Sequence, residues 1–172
     1  MTDRKIICLD ASNMTPEQAV TLERFWKSIW PPKDEPLTGE LILREASEKL
    51  AAMRDYSGPS EQRPRTFAVY EDDDPIAAAR VLPREVVTQR GSVTVAALAG
   101  VATRPEHRGE GLGRAVVEAV FELVDRGDFE CSLFQTTDPV QAFYEKLGAR
   151  RVHNKFYSSE SEDPDADPFW DP

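Results

Sequence analysis

Cysteine and histidine are scarce in this sequence. Its 172 residues include two cysteines, Cys8 and Cys131, and two histidines, His107 and His153. These four residues are widely separated and have none of the spacings typical of metal ligands, so we expect no metal site. Both cysteines lie in apolar segments. That placement predicts buried thiols, a reducing compartment and hence a cytoplasmic location.

Long apolar runs and an excess of basic residues are also missing. No run is long enough to cross a membrane, and residues 1–6 lack the apolar stretch of a secretory signal. The formal net charge of -10 argues against nucleic acid as the main partner. We therefore expect neither a membrane nor a nucleic-acid partner. The net negative charge would suit a positively charged substrate, although keeping the protein in solution is the simpler explanation.

The negative charge is concentrated at the C-terminal end. Residues 160–172 contain six carboxylates, three prolines and no basic residue, a composition typical of irregular chain. We expect a single domain over residues 1–157 and an acidic, proline-rich tail over residues 158–172. The adjacent Phe169 and Trp170 favour docking of that tail on the domain.

The first half of the chain predicts a strand and two helices. Residues 5–10 read as a short buried strand. Thr15, Pro16 and Gln18 form a helix-start signal with a capping box, and the helix ends before Pro31. A second helix is predicted from after Thr38 to about Arg54. The apolar faces of these helices comprise Ala19, Leu22, Phe25, Trp26 and Ile29, and Leu43, Ala46, Leu50 and Met53.

The second half predicts a meander of strands and two further helices. The strands are expected at residues 66–71, 76–82 with an extension through Val86 and Val87, 92–103, 131–135 and 152–157. One helix has its first apolar residue at Leu112 and ends near Gly127. Another covers residues 139–147, with Asp138 as its cap. This order predicts an α/β (α+β) fold: a mixed, mostly antiparallel sheet with helices on both faces.

Three glycines lie where the long strand meets the clearest helix. Gly109, Gly111 and Gly113 allow backbone amides to approach a ligand, and a helix N-terminus attracts anions. A phosphate-binding P-loop would require Gly-Lys-Ser/Thr, whereas Arg114 and an alanine follow here. The dinucleotide fingerprint requires a third glycine where Val116 stands. The remaining choices are a pyrophosphate cradle of another kind and a glycine-rich turn without a ligand.

A fuller pattern resolves this choice. Arg108, Gly111 and Gly113 resemble the Arg/Gln-x-x-Gly-x-Gly/Ala signature of the GNAT acetyltransferase superfamily. The segment Ala142-Phe143-Tyr144-Glu145-Lys146-Leu147-Gly148-Ala149 is similar to a second element of that family, and the two occur in the family's order. The resemblance covers about residues 6–157. It implies the GNAT fold, whose central strands splay apart, and acetyl-CoA as the acetyl donor.

The resemblance also implies residue roles. Tyr144 matches the family's acid, which protonates the departing thiolate. Gly100, a glycine within a strand, is the expected position of the bulge that opens the sheet. The cofactor would be held by one strand end and the following loop: Val101, Ala102, Thr103, Arg108, Gly109, Glu110, Gly111, Leu112, Gly113 and Arg114.

The sequence departs from the family pattern at three places. Residues 93–99 have no carboxylate where many relatives place a glutamate that activates the amine, so the general base is unassigned. Thr137 stands where many relatives have an asparagine. The family's last strand is not evident: it is absent, or the tail packs irregularly, or a partner chain supplies it in a homodimer.

The expected function is transfer of an acetyl group from acetyl-CoA to a primary amine, with a small cationic amine as the preferred acceptor. A protein N-terminus or lysine is the alternative acceptor. A non-catalytic acyl-CoA-binding module is the alternative outside the enzyme class. His107 is interpreted as a polar loop residue, and Trp26 and Trp30 as aromatics of the core or of the groove wall.

Overall fold

The structure is a computed structural model that describes residues 5–157. The predicted tail therefore lies outside the described residues. The described residues form four α-helices and five strands, in the order β1 (Ile6–Asp10), α1 (Pro16–Ile29), α2 (Gly39–Arg54), β2 (Arg65–Glu71), β3 (Asp74–Thr88), β4 (Gly91–Thr103), α3 (Leu112–Asp125), β5 (Ser132–Leu133) and α4 (Asp138–Glu145). Within this range no helix has the length and apolarity needed to cross a membrane.

The strands form one mixed sheet in the order β1-β2-β3-β4-β5. The first three pairs are antiparallel, and β4 with β5 is parallel. The predicted extension of β3 through Val87 is confirmed, because β3 and β4 pair along almost their whole length. The register of β4 with β5 covers two pairs, Ala96 with Ser132 and Ala97 with Leu133. Beyond Ala97, β4 continues to Thr103.

Both N-terminal helices begin where their sequences predict. The Thr15 hydroxyl accepts from the Gln18 N–H at 3.2 Å, and the Gln18 side chain accepts from the Thr15 N–H at 2.9 Å, which completes the capping box. The Thr38 hydroxyl accepts from the Leu41 N–H at 3.1 Å. Because capping satisfies amides that lack partners within the helix, both starts are well defined.

The first unit of the fold, residues 1–133, has helices on both faces of the sheet. One core cluster joins α1 and α2 to Ala68 of β2. The neighbouring residue Phe67 lines a groove with Ala115 and Ala119 of α3. Consecutive strand residues point to opposite faces, so α3 covers the face opposite α1 and α2, as predicted.

The second unit begins at Phe134, and its described part contains α4. Here two predictions are wrong. Residues 152–157 form no strand, since only Tyr157 makes an isolated bridge. The cap of α4 is Thr137 rather than Asp138, and it makes no side-chain capping bond. His153 and its neighbours are exposed, which fits the absence of a buried strand.

Three burial predictions are also wrong. Cys8 and Cys131 are exposed free cysteines, not buried thiols. Cys8 lies in β1 and Cys131 directly precedes β5, and these are the two outer strands of the sheet, where fewer neighbours cover a side chain. For the same reason β1 is buried only at Leu9. Leu43 is 57% exposed, while Leu41 and Ile42 are buried instead. The apolar face of α2 is therefore rotated from the predicted one.

Candidate active site

The connection from β4 to α3 brings the predicted cofactor residues together. After Thr103 the chain makes a short 3-10 turn, Pro105–His107, and α3 begins at Leu112. Gly109 and Gly111 have φ angles of +87° and +81°. Residues with a Cβ rarely adopt this left-handed conformation. Two glycines are thus required to turn the chain from the strand into the helix.

The N-terminus of α3 differs from those of α1 and α2. Its N-cap is Gly111, which has no side chain to cap the helix. The amides of a helix's first turn have no partner inside the helix, so those of Leu112, Gly113 and Arg114 are available for another acceptor. The loop at Gly109, Glu110 and Gly111 is exposed. A ligand can therefore reach these amides from solvent.

The third glycine has a packing role. Gly113 lies inside α3 and has no positive φ, but a Cβ built on it would lie 3.2 Å from Thr103 Oγ1. The end of β4 and the first turn of α3 thus lie in close contact. Val101 and Thr103 are half-buried, whereas Ala102 is buried in the core cluster on the α1 and α2 face.

The basic residues of the loop have different environments. Arg108 is exposed. Arg114 is also exposed and pairs with Glu118 at 2.8 Å. Arg104 has a structural role, because its Nε donates to the Pro75 carbonyl at 2.9 Å. Of these three cations, Arg108 and Arg114 remain accessible to an anionic ligand.

His107 lies between two carboxylates. Its Nδ1 is 3.2 Å from Glu110 Oε1, and its Nε2 is 3.7 Å from Glu71 Oε2. These contacts connect the glycine loop to the end of β2. They support the interpretation of His107 as a structural loop residue, with the addition that it anchors the loop.

The bulge predicted at Gly100 is confirmed. Ala78 pairs with Ala102 and Arg80 with Ala99, so Gly100 and Val101 together oppose a single residue of β3. Gly100 has a φ of +60°. A bulge leaves its extra residue outside the ladder and bends the strand, which separates this part of β4 from regular pairing.

Sequence reasoning missed the contacts around this bulge. The indole Nε1 of Trp26 donates to the Gly100 carbonyl at 2.7 Å, and the guanidinium carbon of Arg80 lies 4.3 Å from the centre of the Trp26 ring system. Burial lowers the pKa of Arg80. The glycine inside a strand was the available signal for the bulge, but nothing local in the sequence pairs it with a tryptophan 74 positions away.

A charged network lies between α1 and α2. Glu23 is 2% exposed and accepts from Lys49 at 2.7 and 2.8 Å, and Lys27 donates to Glu45 at 2.8 Å. The bonds from Lys27 and Lys49 hold the pKa of Glu45 at about 2, below its ordinary value of 4.5. These pairs fix the two helices to each other and thereby fix α1, which carries Trp26.

Tyr144 is placed by α4 in the second unit. It is 8% exposed, and its ring packs against Phe134 and Phe143 with centroids 4.7 and 4.9 Å away. Burial raises the pKa of its hydroxyl. The group therefore keeps its proton at neutral pH and is suited to donate a proton rather than to accept one.

The start of α3 presents hydrogen-bond donors that suit an anionic ligand. Within residues 5–157 no group of three or more His, Cys, Asp or Glu side chains is arranged to hold a metal. The uncapped start of α3 instead presents amide donors at the positive end of the helix dipole. The β4 bulge lies on the strand that leads into it. This donor set suits phosphate oxygens together with an extended arm.

The fold of this chain recurs in proteins of known structure. No curated protein sequence matches the chain. Its fold is similar to that of glucosamine-6-phosphate N-acetyltransferase from Arabidopsis thaliana, with a TM-score of 0.65, 16% identity and coverage of 91% of this chain and 98% of that one. An aminoglycoside acetyltransferase from an uncultured soil metagenomic sample gives a TM-score of 0.63, 15% identity and coverage of 91% and 96%.

A third similar structure is that of a predicted acetyltransferase with acetyl-CoA from Clostridium acetobutylicum, with a TM-score of 0.60, 12% identity and coverage of 90% of this chain and 95% of that one. At such identities the likeness is one of fold. The family itself is shown by sequence, because the acetyltransferase (GNAT) family model matches residues 22–149, well over half of the chain. The chain therefore belongs to the GNAT family of acetyltransferases.

Proposed function

We propose that this protein is an acetyl-CoA-dependent N-acetyltransferase that acts on a primary amine. The observation that carries the proposal is the start of α3: its N-cap, Gly111, has no side chain to cap the helix, and both Gly109 and Gly111 are left-handed. The helices α1 and α2 both have threonine caps. The start of α4 also has no side-chain capping bond, but α3 begins at glycines with positive φ. An uncapped, exposed terminus can take its missing acceptors from a ligand.

Coenzyme A would be held by the β4–α3 segment. The amides from Gly109 to Arg114 would donate to the pyrophosphate, and Arg108 and Arg114 would add charge. The pantetheine arm would pair with the backbone of Val101 and Thr103 as an added strand, beyond the last pair of β4 with β5. Acetyl-CoA supplies the activated acetyl group.

The transfer itself requires a balanced movement of bonds and protons. The amine nitrogen forms a bond to the carbonyl carbon, and the carbonyl π pair moves to oxygen. That pair then returns as the C–S bond breaks, so the sulfur leaves with its electron pair. The nitrogen loses a proton and the thiolate gains one. A backbone N–H at the β4 bulge would stabilise the charge on oxygen, and Tyr144 would protonate the thiolate.

The acceptor proposed is a small primary amine. Two proteins of similar fold are named for glucosamine-6-phosphate and for aminoglycosides, both of which carry primary amines. Residues 93–99 of β4 contain no carboxylate, so no carboxylate of this segment can act as the general base. The missing carboxylate favours the second candidate, an acyl-CoA-binding module without turnover.

Release of free thiol from acetyl-CoA tests the proposal. The protein would be incubated with acetyl-CoA and a panel of amines that includes amino sugars, aminoglycosides, polyamines and lysine-containing peptides. Acceptor-dependent thiol release, with an acetylated product seen by mass spectrometry, supports the enzyme. Release confined to the peptides would shift the acceptor to the protein class. Calorimetric binding of acetyl-CoA without turnover on any amine would support the binding module instead.

A further inference from the structure

Trp26 makes a hydrogen bond to the backbone at the point where β4 departs from the ladder. Its Nε1 donates to the Gly100 carbonyl at 2.7 Å, within the bulge formed by Gly100 and Val101 opposite one residue of β3. Trp26 is 7% exposed and lies in α1. The contact is therefore a fixed link between a buried helix and an irregular segment of strand.

This link determines the direction of the next amide. A peptide bond is planar and trans, so the carbonyl of one residue and the N–H of the following residue point in opposite directions. Holding the Gly100 carbonyl toward Trp26, on the α1 and α2 side of the sheet, directs the Val101 N–H away from that side. The bulge frees this segment from regular pairing, so without the indole its orientation would be less well defined.

Arg80 holds the indole in place. Its guanidinium carbon lies 4.3 Å from the centre of the Trp26 ring system, within the range of a cation–π contact. A Cβ at Gly100 would lie 3.1 Å from Trp26 Nε1 and 3.2 Å from Arg80 Nε. Only glycine leaves room for both side chains to approach the bulge so closely. Within residues 5–157, Arg80 Nε is buried without a hydrogen-bond partner. An unpaired buried donor is unfavourable, so the contact with Trp26 offsets part of the cost of this position.

We propose that Trp26 is a positioning residue for acetyl transfer. Acting through the Gly100–Val101 peptide, it aims the Val101 N–H at the thioester carbonyl oxygen, and Arg80 supports it by stacking on the indole. This inference rests on the proposed function, since it requires acetyl-CoA to bind along β4. The Val101 N–H is then the oxyanion donor, and the side chain that aligns it, Trp26, lies on the α1 and α2 side of the sheet.

Infrared difference spectroscopy with acetyl-CoA carrying ¹³C at the acetyl carbonyl tests the inference without knowledge of the acceptor. A donor aligned with the carbonyl oxygen lowers the stretching frequency of the bound thioester. Trp26→Phe keeps a ring for Arg80 and removes the donor. Site-specific incorporation of 3-benzothienylalanine at position 26 replaces only the N–H by sulfur and so preserves the packing. This variant serves as the alternative if Trp26→Phe does not fold. Trp30→Phe, at an exposed tryptophan of the same region, is the matched control.

The expected result has three parts. In the position-26 variants the carbonyl stretch returns toward its value in free acetyl-CoA, and calorimetric affinity for acetyl-CoA stays within about twofold. Turnover with an amine found by the acceptor panel falls roughly ten- to a hundredfold, somewhat less than the loss of a whole oxyanion donor. Trp30→Phe leaves all three unchanged. A folded position-26 variant with the wild-type stretch and turnover would overturn the inference alone, whereas a wild-type protein that does not bind acetyl-CoA would overturn the proposed function as well.

Discussion

Gly113 and Thr103 are in near contact: a methyl group added at Gly113 would lie 3.2 Å from the Thr103 hydroxyl oxygen. That distance is shorter than ordinary van der Waals contact. The pair joins the end of β4 to the first turn of α3, the two elements proposed to hold the pantetheine arm and the pyrophosphate. The glycine is thus explained by close packing of helix against strand, whereas Gly109 and Gly111 are explained by backbone conformation.

A double-mutant cycle tests this contact. Gly113→Ala should be more favourable in a Thr103→Ala background than in the wild type, because the hydroxyl that crowds the new methyl group is gone. The coupling should be about 0.5–1 kcal/mol, typical of residues in contact, and urea unfolding of the four proteins measures it. Additive effects of the two changes would show that helix and strand adjust freely.

Gly111 offers a test of the ligand cradle with an internal control. Gly127, at the other end of α3, has a φ of +83° against +81° for Gly111. A Cβ built on either glycine would have no atom of the described residues within 4 Å. Valine at either position should therefore lower the free energy of unfolding by a similar amount, about 1–2 kcal/mol, which is the penalty for a left-handed residue. Thermal melts check that equality.

Affinity for coenzyme A should separate the two variants. Gly111→Val should weaken binding roughly tenfold or more, equivalent to about 1.4 kcal/mol or more, because the side chain covers the amides. Gly127→Val should bind as the wild type does, and Arg108→Ala should weaken binding less than Gly111→Val. Calorimetry showing equal affinity in both valine variants would place the pyrophosphate elsewhere.

Tyr144→Phe keeps the ring packing and removes the proton donor. Turnover should fall roughly ten- to a thousandfold, around the usual contribution of a general acid, with coenzyme A affinity almost unchanged. Tyr70→Phe is the matched control: among the described residues the Tyr70 hydroxyl is buried without a hydrogen-bond partner, and burial raises its pKa to about 12. Steady-state assays in which chemistry limits the rate should show normal turnover for Tyr70→Phe. Normal turnover for Tyr144→Phe would assign thiolate protonation to another group or to water.

The helix pair that carries Trp26 should be sensitive to acid through Glu45. The bonds from Lys27 and Lys49 lower the pKa of Glu45 from 4.5 to about 2. A lowered folded-state pKa contributes stability above the unfolded value, and that contribution disappears as the pH falls from about 4.5 to about 2. Glu45→Gln should therefore cost about 1 kcal/mol at pH 7, the upper end for ion pairs that are partly exposed, and less at pH 3.

Urea unfolding at the two pH values measures this difference. Glu48→Gln, at an exposed carboxylate of the same helix, is the control and should show a smaller dependence on pH. Equal losses for Glu45→Gln at pH 7 and pH 3 would mean that the Lys27 and Lys49 bonds contribute little to folding.

Local sequence signals accounted for most of the elements. The caps at Thr15 and Thr38, the long β3–β4 hairpin and the bulge at Gly100 were predicted because each depends on a few adjacent residues. The motif around Gly111 pointed to the family that the sequence match then showed. What failed depended on position in the sheet: Cys8 and Cys131 adjoin outer strands and are exposed, although their segments are apolar.

The other differences between sequence prediction and structure also depend on contacts between parts of the chain that are distant in sequence. Residues 152–157 contain the strand-forming types Val152, Phe156 and Tyr157, but no strand forms there, because composition alone does not supply a pairing partner. The link between Trp26 and Gly100 spans 74 positions, so it follows from how α1 packs on the sheet and not from any local pattern. Arg80 is half-buried because its guanidinium stacks on Trp26, a contact that sequence periodicity does not encode.

The most direct test of the central claim is a titration of ¹⁵N-labelled protein with acetyl-CoA, followed by amide chemical shifts. Glycine amides fall in a well-resolved region of the spectrum, and this chain places Gly109, Gly111 and Gly113 in the proposed cradle and Gly39 and Gly127 outside it. The account predicts large shifts for the first three and for Arg114, with Gly39 and Gly127 unchanged. Saturable binding that moves amides elsewhere and leaves Gly111 and Gly113 in place would contradict it.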